Sequence, residues 1–326
     1  MKRVVSGIQP TGEMTIGNYL GAMSRWSHNQ ENQESFFFIA NLHAITARQN
    51  PDELKNLTLD IAAWLLTVGV DPKISVIFIQ SMVRAHSEIA WILNNYATMG
   101  ELGKMTQYKD KSSKMGSEGQ YVGLFDYPVL MAGDVLLYDA DEIPVGDDQS
   151  QHIELARNIA NRFNNAHGET FKLPKATLSK TSSRIMSLND PTSKMSKSDT
   201  RDSFVSLSDS PDAIIKKFKR AVTDSDNKVK FSPEKPAISN LLSIYSGFSG
   251  KPIPEIEKEY ENEGYGKFKT DLGELVAGKL APMKEKFDEI RSDKDELMAV
   301  ITDGNRRASE IADAKVNDVK SKLGLL

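Results

Sequence analysis

Two short segments of the sequence combine residue types that could bind phosphate groups. Residues 194–198 read Lys-Met-Ser-Lys-Ser, so two lysines three positions apart alternate with small hydroxyl residues. Lysine is a movable point charge and serine is a hydrogen-bond donor. Residues 7–18 hold three glycines, which let a backbone approach a phosphate or a flat base closely. Taken alone, the first segment is also compatible with an exposed loop, and the second with a turn and a helix cap.

Length and composition exclude several classes of protein. The chain has 326 residues, 39% hydrophobic and 26% charged, which predicts a soluble globular protein of about two domains. It contains no cysteine, so disulfide frameworks, iron–sulfur clusters and cysteine nucleophiles are excluded. The net charge of −4 provides no general basic field, so contact with nucleic acid would need a local patch. Without a long apolar run or a signal peptide, we expect a cytoplasmic protein that does not contact membranes.

The elements that must position these segments alternate in type. Apolar, β-branched and aromatic runs predict strands that include 4–5, 35–40, 74–79 and 143–146. Helical spacing of apolar residues follows each of the first three strands, and a further helix is predicted after 148. This order predicts an α/β fold with a doubly wound parallel sheet. The segment 7–18 would then leave the first strand at the sheet edge where such folds bind ligands.

The second part of the chain differs from the first. Strand patterns fade from about residue 191, and helical patterns continue to the end of the chain. Ser210 and Pro211 form a typical N-cap and first helical position. We therefore predict a domain boundary near residue 190, which separates 1–190 from an all-helical 191–326.

The two phosphate-binding segments together resemble the paired signatures of class I aminoacyl-tRNA synthetases. Residues 15–18 read Thr-Ile-Gly-Asn, a variant of the His-x-Gly-His signature, and 194–198 match the lysine signature. Further segments, in the same order along nearly the whole chain, are similar to the tryptophanyl branch of this family in bacteria. These segments are 6–10, 43–46, 105–111, 127–134, 144–149, 152–155, 184–188 and 221–225. The similarity weakens after about residue 270.

The resemblance implies an architecture and an activity. A Rossmann-type catalytic domain with a dimer-forming insertion would precede a helical anticodon-binding domain, whose last helix can pack back on the catalytic domain. The expected enzyme is a homodimer that activates L-tryptophan with ATP and transfers it to tRNA(Trp). Mg²⁺ is expected with the ATP phosphates, and no protein-bound metal is expected.

The resemblance also implies an ATP site, carried over residue by residue. Five residues of the segment 7–18 would line the nucleotide-binding site: Gln9, Pro10, Thr11, Gly17 and Asn18. Gly146, Asp147 and Asp148 would contact the ribose, and Ile185 the adenine. The phosphates would meet Lys194, Met195, Ser196, Lys197 and Ser198. Catalytic roles are implied for Lys194, Lys197, Thr15, Asn18 and Lys111.

A tryptophan site is implied in the same way. Asp134 would accept the indole N–H, and Gln107, Tyr127 and Gln149 would hold the amino group. Met131 and Val145 would wall the ring. His43 is expected to face this pocket, although a packed structural histidine remains an alternative.

The sequence departs from the family pattern at several positions, and two of them adjoin the predicted tryptophan pocket. Val5 stands where phenylalanine is expected, and Gly133 where alanine is expected. The other departures are Asn41, Leu42, Met82 and Arg84, in place of Asp, Gln, Glu and Pro.

Several structural and functional alternatives remain open. Asp147 and Asp148 could form only a helix cap, Asp134 could be a structural acid, and Gln107, Tyr127 and Gln149 could be surface polar groups. The basic cluster Lys216, Lys217, Lys219 and Arg220 could contact tRNA or could only stabilise a helix C-terminus. Alternative functions are a tyrosine-specific synthetase, a nucleotidyltransferase that does not use tRNA, and a non-catalytic RNA-binding paralogue. Residues 273–279 fit seven positions of a P-loop, but Leu280 replaces the required hydroxyl and no strand precedes them.

Overall fold

The computed structural model describes residues 1–28, 30–115, 121–146, 149–178, 184–196 and 200–326. Four of the predicted ATP-site residues, Asp147, Asp148, Lys197 and Ser198, lie outside this part, as does the side chain of Lys111.

Five parallel strands form one sheet in the order β3-β2-β1-β4-β5. The strands are β1 Lys2–Ile8, β2 Gln33–Ile39, β3 Val76–Ile79, β4 Glu142–Val145 and β5 Lys175–Leu178. The predicted doubly wound sheet is confirmed. The sequence did not predict β5, because its four residues, Lys-Ala-Thr-Leu, carry little apolar signal. The strand order reverses between β1 and β4, so a crevice for ligands is expected beyond their carboxyl ends.

Thirteen α-helices surround and extend this sheet within the described residues. They are α1 Ile16–Gly21, α2 Asn41–Ala44, α3 Pro51–Thr67, α4 Ala85–Leu93, α5 Met99–Leu102, α6 Thr106–Met115, α7 Val122–Leu136, α8 Ser150–His167, α9 Pro211–Arg220, α10 Pro236–Ser249, α11 Ile253–Glu259, α12 Tyr265–Ser292 and α13 Lys294–Lys322. Short 3-10 helices cover Met23–Arg25, Gln80–Met82 and Arg201–Ser203. The part after residue 200 is helical, as predicted. None of the described helices has the length and apolar character needed to cross a membrane.

Local sequence signals explain where several helices begin and end. The Asn50 side chain accepts from the amides of Asp52 and Glu53, and Ser210 caps α9 by accepting from Ala213. The helical pattern that follows the predicted strand 74–79 is interrupted: α4 ends at Leu93, and α5 begins at Met99. The Asn95 side chain donates to the last carbonyls of α4, and Thr98 begins α5 with a capping box, so the chain turns between them.

The helical half shares a hydrophobic core with the half that carries the sheet. The rings of Trp64 on α3 and Phe287 on α12 stack with centroids 4.3 Å apart, within one continuous apolar cluster. Arg291 reinforces this contact by pairing with Asp60 at 2.6 Å. Residues 273–279 lie inside α12, so they form no phosphate loop. The domain boundary near residue 190 stays a prediction.

The last helix, α13, crosses the free edge of the sheet. A Cβ atom on Gly304 would lie only 1.8 Å from the carbonyl oxygen of Ile77 in β3. Only glycine permits this approach, which covers an edge strand whose backbone groups would otherwise lack partners.

We predict that Gly304→Ala destabilises the protein, because the added methyl group forces α13 away from β3. Overpacking of this kind typically costs about 1–3 kcal/mol, which chemical denaturation can measure. Gly278→Ala on α12 is the matched control, since nothing lies within 4 Å of a Cβ there. It should raise the free energy of unfolding by about 0.5–1 kcal/mol. Equal stability of the Gly304→Ala variant and the unmodified protein would contradict the close contact.

Candidate active site

The two predicted phosphate-binding segments come together beyond the carboxyl end of β1. Residues 14–16 run antiparallel to 205–207: the Ile16 amide donates to the Val205 carbonyl at 3.0 Å and the Leu207 amide to the Met14 carbonyl at 2.8 Å. A Cβ on Gly17 would contact Ile185 at 3.7 Å and Met195 at 3.8 Å. Three predicted ATP-site residues from distant parts of the sequence are therefore neighbours.

The lysine-rich segment is anchored through its methionine. The Met195 amide donates to the Ile185 carbonyl at 3.0 Å, and the Met195 side chain is buried. The side chain of Asn240, on α10, bonds both the amide and the carbonyl of Met186. Lys194, which bridges to Met186, remains exposed, so its charge lies at the surface of the site. No sequence motif pointed to Asn240, because its role depends on the packing of α10.

Thr15 and Asn18 bond to each other at the start of α1. The Thr15 amide donates to Oδ1 of Asn18 at 2.9 Å, and the Asn18 amide donates to Oγ1 of Thr15 at 3.3 Å. The amides of Ile16 and Asn18 thus already have acceptors within the protein. Fewer backbone donors at the start of α1 therefore remain available to a phosphate.

An ion-pair network ties the first segment to the residues that follow the second. Arg201 pairs with Glu13 and with Asp209, each at 2.7 Å. Burial raises the pKa of Glu13, but bonds from Ser206 and Arg201 outweigh it and the pKa falls below its ordinary value. Asp209 also receives Nζ of Lys217 at 2.7 Å. Lys217 is buried, so the expectation that it belongs to an exposed basic cluster is wrong.

Asp134, on α7, is fully buried at the centre of the predicted tryptophan site. Its Oδ1 accepts from Nε2 of Gln80 at 2.7 Å and from Nδ1 of His86 at 2.6 Å. Its Oδ2 accepts from Nε2 of His43 at 2.7 Å. Burial opposes ionisation, but the attraction and hydrogen bonds of His43 and His86 outweigh it and hold the pKa of Asp134 at about 2. The buried carboxyl group is therefore an anion at neutral pH.

A second set of bonds fixes the donors around Asp134. Nε2 of His86 lies 2.8 Å from the hydroxyl of Tyr138, whose pKa is raised well above its usual value, chiefly by burial. The phenol therefore keeps its proton at neutral pH, and its hydroxyl fixes the second ring nitrogen of the imidazole that bonds Asp134. Sequence reasoning missed Gln80, His86 and Tyr138. The available signal for Gln80 was its position directly after the predicted strand 74–79.

Gln80 also holds α2, the helix that carries His43. Its Oε1 accepts from the Leu42 amide at 3.1 Å, which orients the side-chain nitrogen toward Asp134. Asn41 and Ser81 exchange two further bonds, of 2.8 and 3.0 Å. Asn41, one of the departures from the family pattern, thus ties α2 to the 3-10 helix Gln80–Met82.

The remaining predicted tryptophan residues lie around this centre. The Tyr127 hydroxyl donates to Oε1 of Gln107 at 3.3 Å and lies 3.1 Å from Nε2 of His152. The rings of Tyr127 and His43 meet edge to face at 6.1 Å. Met131 shares α7 with Tyr127 and Asp134, and Val145 ends β4.

Residues of the predicted ATP site border this group. The Gln9 side chain donates to the His43 carbonyl at 3.0 Å, and the Gln149 amide donates to the Gly146 carbonyl at 2.9 Å. Thr11 donates to the Gln9 carbonyl and Pro10 is buried between them. The half-buried Ser196 follows the anchored Met195. The ATP and tryptophan residues therefore occupy adjoining parts of one region.

The Cβ position of Gly133 faces α4, and its place beside the tryptophan pocket stays a prediction. A Cβ there would lie 2.8 Å from Cγ2 of Ile89 on α4. The departure from alanine therefore affects the contact of α4 with α7. Val5 is buried in the core of the sheet, in the same apolar cluster as Tyr138.

The fold and the paired signature segments define a class I tRNA synthetase. Residues 1–280 match the model of the family described as tRNA synthetases class I (W and Y), and the chain belongs to this family. Curated relatives named tryptophan–tRNA ligase include the protein of Wolinella succinogenes, 47% identical over 326 residues, which cover all of this chain and 99% of the relative. The relative from Clostridium tetani is 45% identical and is covered to 96%.

Solved structures agree with this assignment. The tryptophanyl-tRNA synthetase of Mycoplasma pneumoniae superposes with a TM-score of 0.91 at 34% identity, covering 99% of this chain and 98% of that one. The enzyme of Campylobacter jejuni, in complex with ADP and tryptophan, gives 0.86 at 38% identity and covers 99% of both chains.

We predict that Asp134→Asn lowers the free energy of unfolding by about 3 kcal/mol at pH 7, since removal of one partner of a buried charge network costs about 3–5 kcal/mol. In either orientation of the new amide, its NH₂ group would face a hydrogen-bond donor: Gln80 and His86 on one side, or His43 on the other. Because the pKa of Asp134 is lowered to about 2 from its ordinary 3.8, its contribution is present above pH 4 and is lost as the pH falls toward 2. The difference between variant and unmodified protein should narrow over that range.

Urea unfolding between pH 7 and pH 2 measures this effect. Asp126→Asn on the same helix is the control, because the half-buried Asp126 accepts from Asn94 at 3.1 Å and an amide oxygen can take that bond. A loss as large in the control, or a difference that does not depend on pH, would refute the network.

Proposed function

We propose that this chain is a tryptophan–tRNA ligase. It activates L-tryptophan with ATP, forming tryptophanyl-adenylate and pyrophosphate, and then transfers tryptophan to the 3′ end of tRNA(Trp). The observation that carries the proposal is the buried, ionised carboxylate of Asp134 beside the half-buried His43. The names of the curated relatives and the ADP and tryptophan bound by the Campylobacter jejuni enzyme support the same activity.

Asp134 can recognise an indole because one of its oxygens retains acceptor capacity. A carboxylate offers about four acceptor positions. Gln80 and His86 use the two on Oδ1, and His43 uses one on Oδ2. His43, the partner of Oδ2, has a side chain that is 14% exposed, whereas that of Asp134 is fully buried, so we expect a substrate to approach Oδ2 past His43. An indole N–H entering from that side completes the set.

This acceptor explains the choice between aromatic amino acids. Phenylalanine has no ring donor, so its entry would leave a buried acceptor unpaired. Sites that bond a substrate N–H or O–H can discriminate by about 10⁴–10⁵-fold against an analogue without it. Tyrosine has a donor, but on a shorter ring and in another direction. We assign the amino group of tryptophan to Gln107, Tyr127 and Gln149, and the ring walls to Met131 and Val145.

Adenylate formation then needs alignment and charge stabilisation. The tryptophan carboxylate attacks the α-phosphorus of ATP, and the bond to the bridging oxygen breaks as pyrophosphate leaves. The attacking group is already an anion, so no general base is required. Lys194, with Lys197 of the same segment, stabilises the charge that develops on pyrophosphate, and magnesium enters with ATP as the substrate. The terminal hydroxyl of tRNA next attacks the adenylate carbonyl and releases AMP.

Binding of tRNA is assigned to the helical half. Lys216, Lys219 and Arg220 are exposed near the end of α9, and Lys217 is not part of this set. The three exposed cations form a local basic patch on an otherwise acidic chain. Such a patch can neutralise the phosphates of a nucleic-acid backbone. We expect the enzyme to act in the cytoplasm, where charged tRNA is used.

A second copy of the chain is proposed to cover the apolar surface around α4. Met82, Trp91 and Met99 are between 61% and 76% exposed, and Val122 at the start of α7 is 80% exposed. Exposed large apolar groups on neighbouring elements are typical of an interface between subunits.

Amino-acid-dependent pyrophosphate exchange tests the function. We predict that, among the twenty amino acids, only tryptophan supports exchange with the unmodified protein, because only its ring donor matches Asp134. The same preparation should charge tRNA(Trp). Exchange with tyrosine would identify the sister synthetase, exchange without charging would identify a nucleotidyltransferase that does not use tRNA, and no exchange would favour a non-catalytic paralogue.

The second copy is tested separately by sedimentation. We predict that the unmodified protein is a dimer and that Trp91→Glu is a folded monomer, because a buried carboxylate without a partner opposes association. Met298→Glu is the control. Met298 is also a partly exposed apolar residue, but it lies on α13. A monomeric unmodified protein, or a Trp91→Glu variant that remains dimeric, would remove this surface from the interface.

A further inference from the structure

Three neighbouring residues of α13 hold the free edge of β3. Gly304 lies against the Ile77 carbonyl, and Oδ1 of Asn305 accepts from the Ile79 amide at 2.9 Å. The Arg307 guanidinium donates to the carbonyls of Pro72 at 2.7 Å and Ser75 at 3.2 Å. Arg307 therefore fixes the beginning of the strand, whereas Asn305 fixes its carboxyl end, where the site lies.

The residue that follows Ile79 is the one that organises the tryptophan site. The Gln80 side chain is fully buried and bonds Asp134 through Nε2 and the Leu42 amide through Oε1. The same side chain thus positions the carboxylate and, through α2, the second donor His43. A shift of the backbone at Ile79 would displace both.

We propose that Asn305 is a positioning residue for tryptophan recognition. It touches no substrate and acts through Ile79 and Gln80 on the acceptor Asp134. This inference rests on the proposed function, because it takes Asp134 to be the indole acceptor. It links the last helix of the chain to amino-acid choice in the sheet.

The physical reason is the strict geometry that the Asp134 network requires. Ile79 ends a strand at the edge of the sheet, and within the described part of the chain no further strand accepts its outward amide. Without the Asn305 oxygen, this amide, on a residue only 9% exposed, loses its acceptor, and the strand end must move to find another. Gln80 donates to Asp134 and at the same time accepts from the Leu42 amide. Even a small movement of Gln80 therefore lengthens at least one of these two bonds. Ground-state binding of tryptophan should weaken, while the predicted ATP-site residues Ile185 and Met195 keep the backbone bond between them.

Steady-state pyrophosphate exchange tests the proposal with a set of variants. Asn305→Ala and Asn305→Gln remove or displace the acceptor oxygen, and Asn305→Asp retains it. We expect the first two to raise KM for tryptophan by about 3–10-fold, the range given by loss of one hydrogen bond, with KM for ATP and kcat within about twofold of the unmodified values. Asn305→Asp should have the same KM for tryptophan as the unmodified protein.

Variants at two neighbouring residues of α13 distinguish a positioning role of Asn305 from a general loosening of the helix. Arg307→Ala breaks the other attachment of α13 to β3 and should lower the melting temperature without a change in KM for tryptophan. Arg306→Ala should change neither, since Arg306 pairs only with Asp303 and Glu310 of its own helix among the described ion pairs. If Asn305→Ala does not fold, comparison of the Gln and Asp variants decides.

Two outcomes would overturn the proposal. One is an unmodified KM for tryptophan in the folded Ala or Gln variant. The other is an equal increase in Arg307→Ala, which would show that any loss of contact between α13 and β3 has the same effect. Failure of the unmodified protein to exchange with tryptophan would instead refute the proposed function, so the two failures are distinguishable.

Discussion

The buried negative charge of Asp134 is the constraint on which the arrangement of the site depends. A carboxylate without exposure to water is stable only if the protein supplies donors in place of the solvent. Here the donors come from three separate elements, the 3-10 helix after β3, α4 and α2. Each must approach α7 within hydrogen-bonding distance. The packing of α4 on α7, with no side chain at Gly133, is part of the same requirement.

A second constraint acts on the phosphate side. Two segments almost 180 residues apart must lie together, and backbone bonds between 14–16 and 205–207 hold them there. Arg201 adds a charged tie between Glu13 and Asp209, and the buried Lys217 completes the charge balance of Asp209. The buried Lys217 therefore has a structural role, whereas Lys194 remains exposed, as its proposed contact with the phosphates of ATP requires. Identical side chains differ in role because only one of them is desolvated and paired.

The helical half, to which tRNA binding is proposed, also packs directly on the elements that carry the sheet. Its helix α12 stacks on α3 through Phe287 and Trp64, and α13 closes the edge of the sheet at Ile77 and Ile79. The end of the chain that is assigned to tRNA thus contacts the strand that leads directly into the amino-acid site. The two proposed binding regions are therefore joined by packed side chains and hydrogen bonds.

The sequence by itself determined the class of fold, the family and the two signature segments. Alternating strand and helix patterns, the caps at Asn50 and Ser210 and the spacing within 7–18 and 194–198 are local signals, readable without a partner. The tertiary structure decided which of the named residues share a region and which groups support them. Gln80, His86, Tyr138, Asn240 and Asn305 carry no local signature, since their partners lie tens to hundreds of residues away. The burial of Lys217, the orientation of Gly133 and the strand β5 also depended on packing, because exposure and edge pairing arise only when distant elements meet.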